Sequence, residues 1–325
     1  MSVGCESGAA AVWTQDTIFK YQNYKMKNFR SVLMTVFSLT ALVSALNGQS
    51  AKIVSAQSWH WFPDSLRSSP LPRFYFYWGY NRASFSKTNL HFTGPDYDFT
   101  LYDLKAKDRP TQFSIKTYFN PTTIWIPQYN IRLGFRLGGR WSLSFGMDHM
   151  KYVMVQDQNV LLSGVITETA SELYAGAYLN EEISVKENFL KFEHTDGLNL
   201  TTLDVEYNLP VLSHPRKKFA MEIILGAGGI WAVTRTDVRV FGDGLNNDFH
   251  VAGYAMAGKI GLRCYLLERL FLQWENKAGY MTLPSVLIKN DAPEIADHNL
   301  IFWEKSVTIG FNFNLKRKSR SKNET

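Results

Sequence analysis

From Arg73 onward the chain repeats one unit: a long stretch of alternating apolar and polar residues, then a turn or a polar loop. "SVTIGFNFNL" (Ser306 to Leu315) shows the pattern, with Val307, Ile309, Phe311, Phe313 and Leu315 apolar and the residues between them small or polar. A period of two is a β-strand with one apolar face, because successive side chains leave a strand on opposite sides. Read this way, the sequence predicts strands at Arg73–Phe92, Gln128–Gly138, Arg140–Met154, Phe189–Leu209, Phe219–Phe241, His250–Leu266, Leu270–Leu283 and Leu300–Leu315.

The connections alternate in length. Gly138–Gly139, Ser213–Lys218 and Leu267–Arg269 are tight, whereas the stretches 93–127, 155–188, 242–249 and 284–299 are longer and hold most of the Pro, Asn and Asp. Tight turns on one side, long loops on the other and an even strand count describe a barrel that crosses an outer membrane. A soluble Greek-key sandwich has no reason to sort its loops in this way. The predicted fold class is therefore all-β, a transmembrane antiparallel up-and-down β-barrel of about eight strands.

Parity assigns the faces. In the second strand Ile131, Leu133 and Phe135 oppose Asn130, Arg132 and Arg136; in the seventh, Leu272 and Trp274 oppose Gln273, Glu275 and Lys277. Collected over the strands, the polar face holds Arg132, Arg136, Lys259, Arg263 and Lys277 against Asp148, Asp204, Glu206, Glu222, Glu275 and Glu304. A soluble barrel alternates too, but with its charges outside. Aromatic residues crowding the apolar face near strand ends and glycines on the polar face favour lipid outside and a polar lumen. Eight strands leave an interior that side chains fill. The eleven charges are thus expected to form a closed, ion-paired plug, since an unpaired buried charge is costly. A narrow ion-conducting pore is the alternative.

The N-terminus agrees with export. Lys25, Lys27 and Arg30 precede the apolar run Ser31–Leu46, followed by small and polar residues, which is the layout of a secretory signal peptide. The run is short for a spanning helix of about 20 residues. Residues 1–25 do not fit a signal and are expected to be a non-native extension upstream of Met26; 26–50 is the signal, 51–72 an N-terminal periplasmic segment, 73–315 the barrel and 316–325 a basic tail. Cleavage near Gly48–Ala51 leaves Cys264 as the single cysteine, which allows neither a disulfide nor a cysteine metal cluster.

Net charge changes little in this picture. The formal +6 falls to +4 once residues 1–48 are removed, with four basic and two acidic residues, and the tail after Leu315 carries +4 by itself. The strand-bearing region is neutral, so the basic character is no nucleic-acid face.

Two polar clusters hold the candidate chemistry. Asp148, His149 and Lys151 lie at the outer end of the third strand, and Glu193, His194, Asp196 and Asn199 lie on the neighbouring fourth. An Asp/His pair among Asp148, His149, His194 and Asp196 is the candidate for acid–base work. The spacing matches no metal-ligand pattern, and no metal or cofactor is expected. The remaining histidines, His91, His214, His250 and His298, are expected at the surface. The long stretch Phe92–Pro110 is expected to act as a surface-binding loop.

Phe74–Pro110, "SFGMDHMKYVM" (Ser144 to Met154) and "FEHTDGLN" (Phe192 to Asn199) resemble segments of uncharacterised outer-membrane β-barrel proteins of the Bacteroidota. The resemblance covers most of the region after the signal and implies location and fold, without catalytic residues. The second cluster is also distantly similar to the lipid A 3-O-deacylases, small barrels with a His-x-Ser pair. Here Asp196 stands where that family has serine, so the nucleophile is missing, and parity points His194 and Asp196 inward unless a bulge resets the register. The sequence thus leads to a structural or surface-binding outer-membrane protein, with a lipid-modifying acyl hydrolase as an alternative. Expected partners are outer-membrane lipid and lipopolysaccharide, and the barrel-assembly machinery during biogenesis. No nucleic acid is expected, and the protein is expected to be a monomer.

Overall fold

The computed structural model describes residues 60–64, 71–214, 219–266, 269–289 and 293–315. The N-terminal extension and signal peptide expected from the sequence, the basic tail and the tips of two tight turns (215–218 and 267–268) lie outside the described residues. Eight long strands form the frame: β2 (Phe74–Phe85), β6 (Tyr129–Gly138), β7 (Trp141–Met154), β10 (Leu190–His214), β11 (Phe219–Thr234), β14 (His250–Tyr265), β15 (Leu270–Leu287) and β16 (Ile295–Phe313). Each pairs antiparallel with the next, and β16 pairs back onto β2. The result is a closed up-and-down barrel with no free edge among these strands, as the alternation predicts.

The faces follow the parity read from sequence. Leu133, Phe145, Leu203, Leu225, Met256, Trp274 and Ile309 stand exposed on the outside, Met256 at 75% of its surface, whereas Arg132 and Arg263 inside are 0% exposed. This inverts the ordinary arrangement of a water-soluble domain. Glycine makes room for it: a Cβ at Gly134 would lie 1.8 Å from Cζ of Tyr75, whose ring fills that part of the interior.

The long connections are where the structure departs from the sequence reading. The predicted first strand breaks at Ser86–Lys87, and its second half becomes β3 (Thr88–Gly94), which pairs with β4 (Tyr97–Leu104). The connection after β7 is a second hairpin, β8 (Gln158–Ile166) and β9 (Gly176–Val185). β3 pairs with the far end of β16 and β4 pairs with β8, giving a cap sheet in the order β16–β3–β4–β8–β9. The predicted fifth strand ends at Thr234, and β12 (Asp237–Val240) and β13 (Asp243–Asn246) form a hairpin against the far end of β10. Shorter elements complete the chain: β1 (His60–Trp61) on the turn end of β10, β5 (Ala106–Lys107) beside β7, and a single-turn helix α1 (Ile115–Tyr118) capped by Ser114.

These additions have their own core. Leu90, Phe92, Phe99, Leu101 and Leu162 of the cap sheet pack with Phe189, Leu190, Phe192 and Val238, and the cluster continues into the barrel through Met150, Leu198, Leu200, Met281 and Phe302. Phe92 stacks on Phe99 at 5.1 Å between centroids and meets Phe192 edge-on at 6.1 Å. The alternation in the connections is thus spent on an apolar lid over the barrel mouth rather than on free loops.

Candidate functional site

The interior is layered along the barrel axis. At the turn end Tyr75, Tyr77, Tyr265 and Phe271 form an aromatic floor. Arg263 lies over the rings of Tyr75 and Phe271, 4.6 and 4.5 Å from their centroids. It also bonds Glu222 at 3.0 Å and Gln273 at 2.7 Å. Arg136 sits at this rim, half-buried, and donates to Asn312 Oδ1 at 2.9 Å and to the Tyr265 hydroxyl at 3.0 Å.

Above the floor is the charged layer. Lys259 bridges Asp204 at 2.8 Å and Glu206 at 2.7 Å, with Glu275 at 3.6 Å. Arg132 bonds Asp148 at 3.0 Å and lies 3.6 Å from Asp204, and Lys277 pairs with the same oxygen of Asp148. Neutral groups fill remaining positions: Tyr75 Oη donates to Glu206, Ser144 Oγ donates to Glu206 at 2.7 Å, and Asn130 donates to both Asp148 and Glu304. All eleven lumen residues named from parity face inward, and ten of them are buried. Two of the eleven depart from the expected ion pairing among the described residues: Arg136 has only the neutral partners named above, and Glu304 accepts from the Asn130 amide rather than from a cation, with its Oε2 without a hydrogen-bond partner. Dense mutual neutralisation is what makes such a concentration of buried charge tolerable.

Above the charges lies the apolar lid, which holds a group of polar side chains. His194 and His298 are buried with their rings nearly parallel (18°) and 6.2 Å apart, and Tyr152 stands 5.6 Å from each. Nδ1 of His194 meets Thr236 Oγ1 at 2.7 Å, and Nδ1 of His298 lies 3.5 Å from Thr88 Oγ1. Nε2 of both rings and the Tyr152 hydroxyl are without partners. Burial drives both imidazoles toward the neutral form, with His298 pushed down to about 3 and His194 well below its ordinary value. Two histidines expected at the surface are buried, His214 at the turn end of β10 and His298, which shares inward parity with Leu300, Phe302 and Glu304 on a strand longer than predicted. That parity was the available signal. Tyr152 carried none, since it reads as one more aromatic in an alternating strand.

The four candidate catalytic residues occupy different surroundings. Asp148 belongs to the charged layer and His194 to the lid. His149 points outward, stacked on Tyr129 at 5.2 Å and joined to Asn199 Oδ1 at 2.7 Å. A bulge between His194 and Leu198 resets the register, with Gly197 at φ +150°, and turns Asp196 outward to Arg235 at 3.4 Å. The charge of Asp196 reaches His149. His194 and Asp196, which plain alternation puts on one face, are thereby separated. Among the described residues no group of three or more His, Cys, Asp and Glu is arranged to hold a metal ion.

No family model matches the chain, and no curated protein matches it. Among solved structures it is similar to Neisserial surface protein A, at 10% identity and a TM-score of 0.32 over 74% of this chain and 97% of that one. It is also similar to the outer membrane protein OprG from Pseudomonas aeruginosa, at 10% identity and a TM-score of 0.34 over 75% and 98%. The eight-stranded ring stands on this chain's own strand pairing and not on that likeness.

Proposed function

We propose that the protein is an outer-membrane β-barrel of a Gram-negative cell with a sealed lumen, and that it acts through the cap sheet it presents outside the membrane, as a structural or surface-binding protein. One observation carries this reading: the strands of the ring present large apolar side chains outward, while ten of the eleven charges of the inward face are buried. Lipid is the solvent for which that inversion is favourable, at about 25 cal/mol per Å² of apolar surface kept from water. The tight-turn end then faces the periplasm and the cap faces outward, as in barrels with short periplasmic turns. Charge pairing below and the apolar lid above both oppose a continuous aqueous path.

Membrane fractionation with boiled and unboiled gel samples tests the location. The reading expects the protein in the outer-membrane fraction, with a faster-migrating unboiled band. A soluble periplasmic protein of unchanged mobility would contradict it. In planar bilayers the sealed lumen predicts no steady conductance, and uniform single-channel steps would count against it.

A further inference from the structure

Arg82 of β2 and Lys305 of β16 are direct register partners, and both are exposed on the outward face of the ring. Opposed side chains on adjacent strands start about 5 Å apart, and two like charges placed so repel each other. Neither cation has an ion pair with a carboxylate among the described residues. Arg82 donates to neutral oxygens, the Asn81 carbonyl at 2.7 Å and the Tyr118 hydroxyl at 3.3 Å. Lys305 lies 5.2 Å from the centroid of the Trp303 ring. Asp108 feels the charge of Arg82, yet its carboxylate accepts the backbone N–H groups of Ala83 and Arg109 instead.

The surroundings of the pair belong to a lipid-facing surface. Along β16 its outward neighbours are Trp303 and Val307, both more than half exposed, and along β2 the next outward residue toward the turns is Tyr80. Beside Tyr80, α1 packs Tyr118 edge-on at 4.5 Å, and the same segment leaves Phe113, Ile115, Phe119 and Trp125 exposed. Arg82 stands eight residues beyond Phe74. That is about 27 Å along the strand, or roughly 20 Å in depth at a tilt near 40°, close to the outer edge of an apolar band about 25 Å tall. At that edge the solvent changes from acyl chain to anionic headgroup.

We infer that Arg82 and Lys305 together bind the phosphate of an anionic outer-leaflet lipid headgroup, with Trp303 and the exposed aromatics of the α1 segment resting on the same lipid layer. A phosphate between the two cations replaces their repulsion with two attractions. The guanidinium supplies a planar fork of donors, and the ammonium a compact charge. The inference rests on the membrane reading and names one contact that this reading leaves open.

The full chain, refolded into vesicles of pure phosphatidylcholine or pure phosphatidylglycerol, tests it. Unfolding is followed by loss of the heat-modifiable band on heating. The wild-type chain unfolds at a higher temperature in phosphatidylglycerol, and added salt shrinks the gain because exposed charges are screened. The Arg82→Gln, Lys305→Gln double variant loses most of the gain while unfolding no earlier than wild type in phosphatidylcholine. Lys305→Glu, which pairs with Arg82, also loses the gain and is as stable as wild type in phosphatidylcholine. Variants that keep the full, salt-sensitive gain overturn the lipid site. Failure of the membrane reading is seen separately, as wild-type protein that never acquires the heat-modifiable band in either vesicle.

Discussion

Tyr152, His194 and His298 set three unpartnered polar atoms inside an apolar lid, and each such atom costs about 1–3 kcal/mol of desolvation. Their arrangement gives the cap a pH dependence with a definite sign. Both imidazoles are held below their ordinary value of 6.5, so the folded cap favours their neutral forms. The unfolded lid binds protons first as pH falls, and the cap loses stability below about pH 6.5 at roughly 1.4 kcal/mol per pH unit for each histidine. Above that pH the contribution is complete. The protection of amides in β3, β4 and β10, taken relative to the intrinsic exchange rate at each pH, is therefore expected to fall between about pH 6.5 and 4. His298→Phe, which cannot be protonated, should weaken the response, and protection independent of pH in wild type would contradict a buried pair of neutral histidines. A second test lies in the charged layer. Lys259→Met leaves Glu206 without its cation and Asp204 with Arg132 alone at 3.6 Å, and breaking a buried pair on one side costs about 3–5 kcal/mol. The urea midpoint for unfolding from vesicles should fall accordingly, and a variant as stable as wild type would contradict a tightly paired layer.

At the scale of the element, the barrel strands were legible because their alternation ran longer than any competing pattern, and parity placed Arg132, Lys259 and the other lumen charges inside. The cap was not legible for the same reason. Leu90 and Phe92 alternate as regularly as Tyr75 and Tyr77, so the run from Arg73 reads as one strand, although the inward residues change from odd to even numbers across the break. Short hairpins such as β8–β9 carry local pairing signals but no sign of which sheet they will join. The bulge at Gly197 is the exception that plain parity leaves open, since alternation does not say whether the register slips, and it decides that Asp196 leaves the face of His194. One consequence is testable by labelling. With Cys264→Ser as background, a cysteine at Asn159 in the cap should react with a membrane-impermeant maleimide on intact cells, and one at Gly139 in a tight turn should react only after permeabilisation. The opposite pattern would reverse the orientation. A second concerns the seal. Deleting residues 158–185 removes the β8–β9 hairpin and exposes apolar lid residues such as Leu101, but the paired charges below remain. The shortened protein should still show no steady conductance, and the appearance of channels would mean that the lid, not the ion pairs, holds the lumen closed.

For the whole molecule the deciding question is which solvent meets the outside of the ring. Each layer depends on the answer: if lipid is outside, the charges inside need pairing, and the apolar lid closes the ring where its strands would leave the membrane. β16 carries the question along one continuous element, since Val307, Ile309 and Phe311 stand outward and exposed while Ser306, Thr308 and Asn312 are buried. Single cysteines at the three outward positions, on the Cys264→Ser background and spin-labelled in vesicles, read the local solvent through two relaxing agents, oxygen that concentrates in lipid and a nickel chelate that stays in water. A lipid-facing strand gives high oxygen and low nickel accessibility at Val307, Ile309 and Phe311. High nickel accessibility at all three would place water on the outside and contradict the membrane barrel.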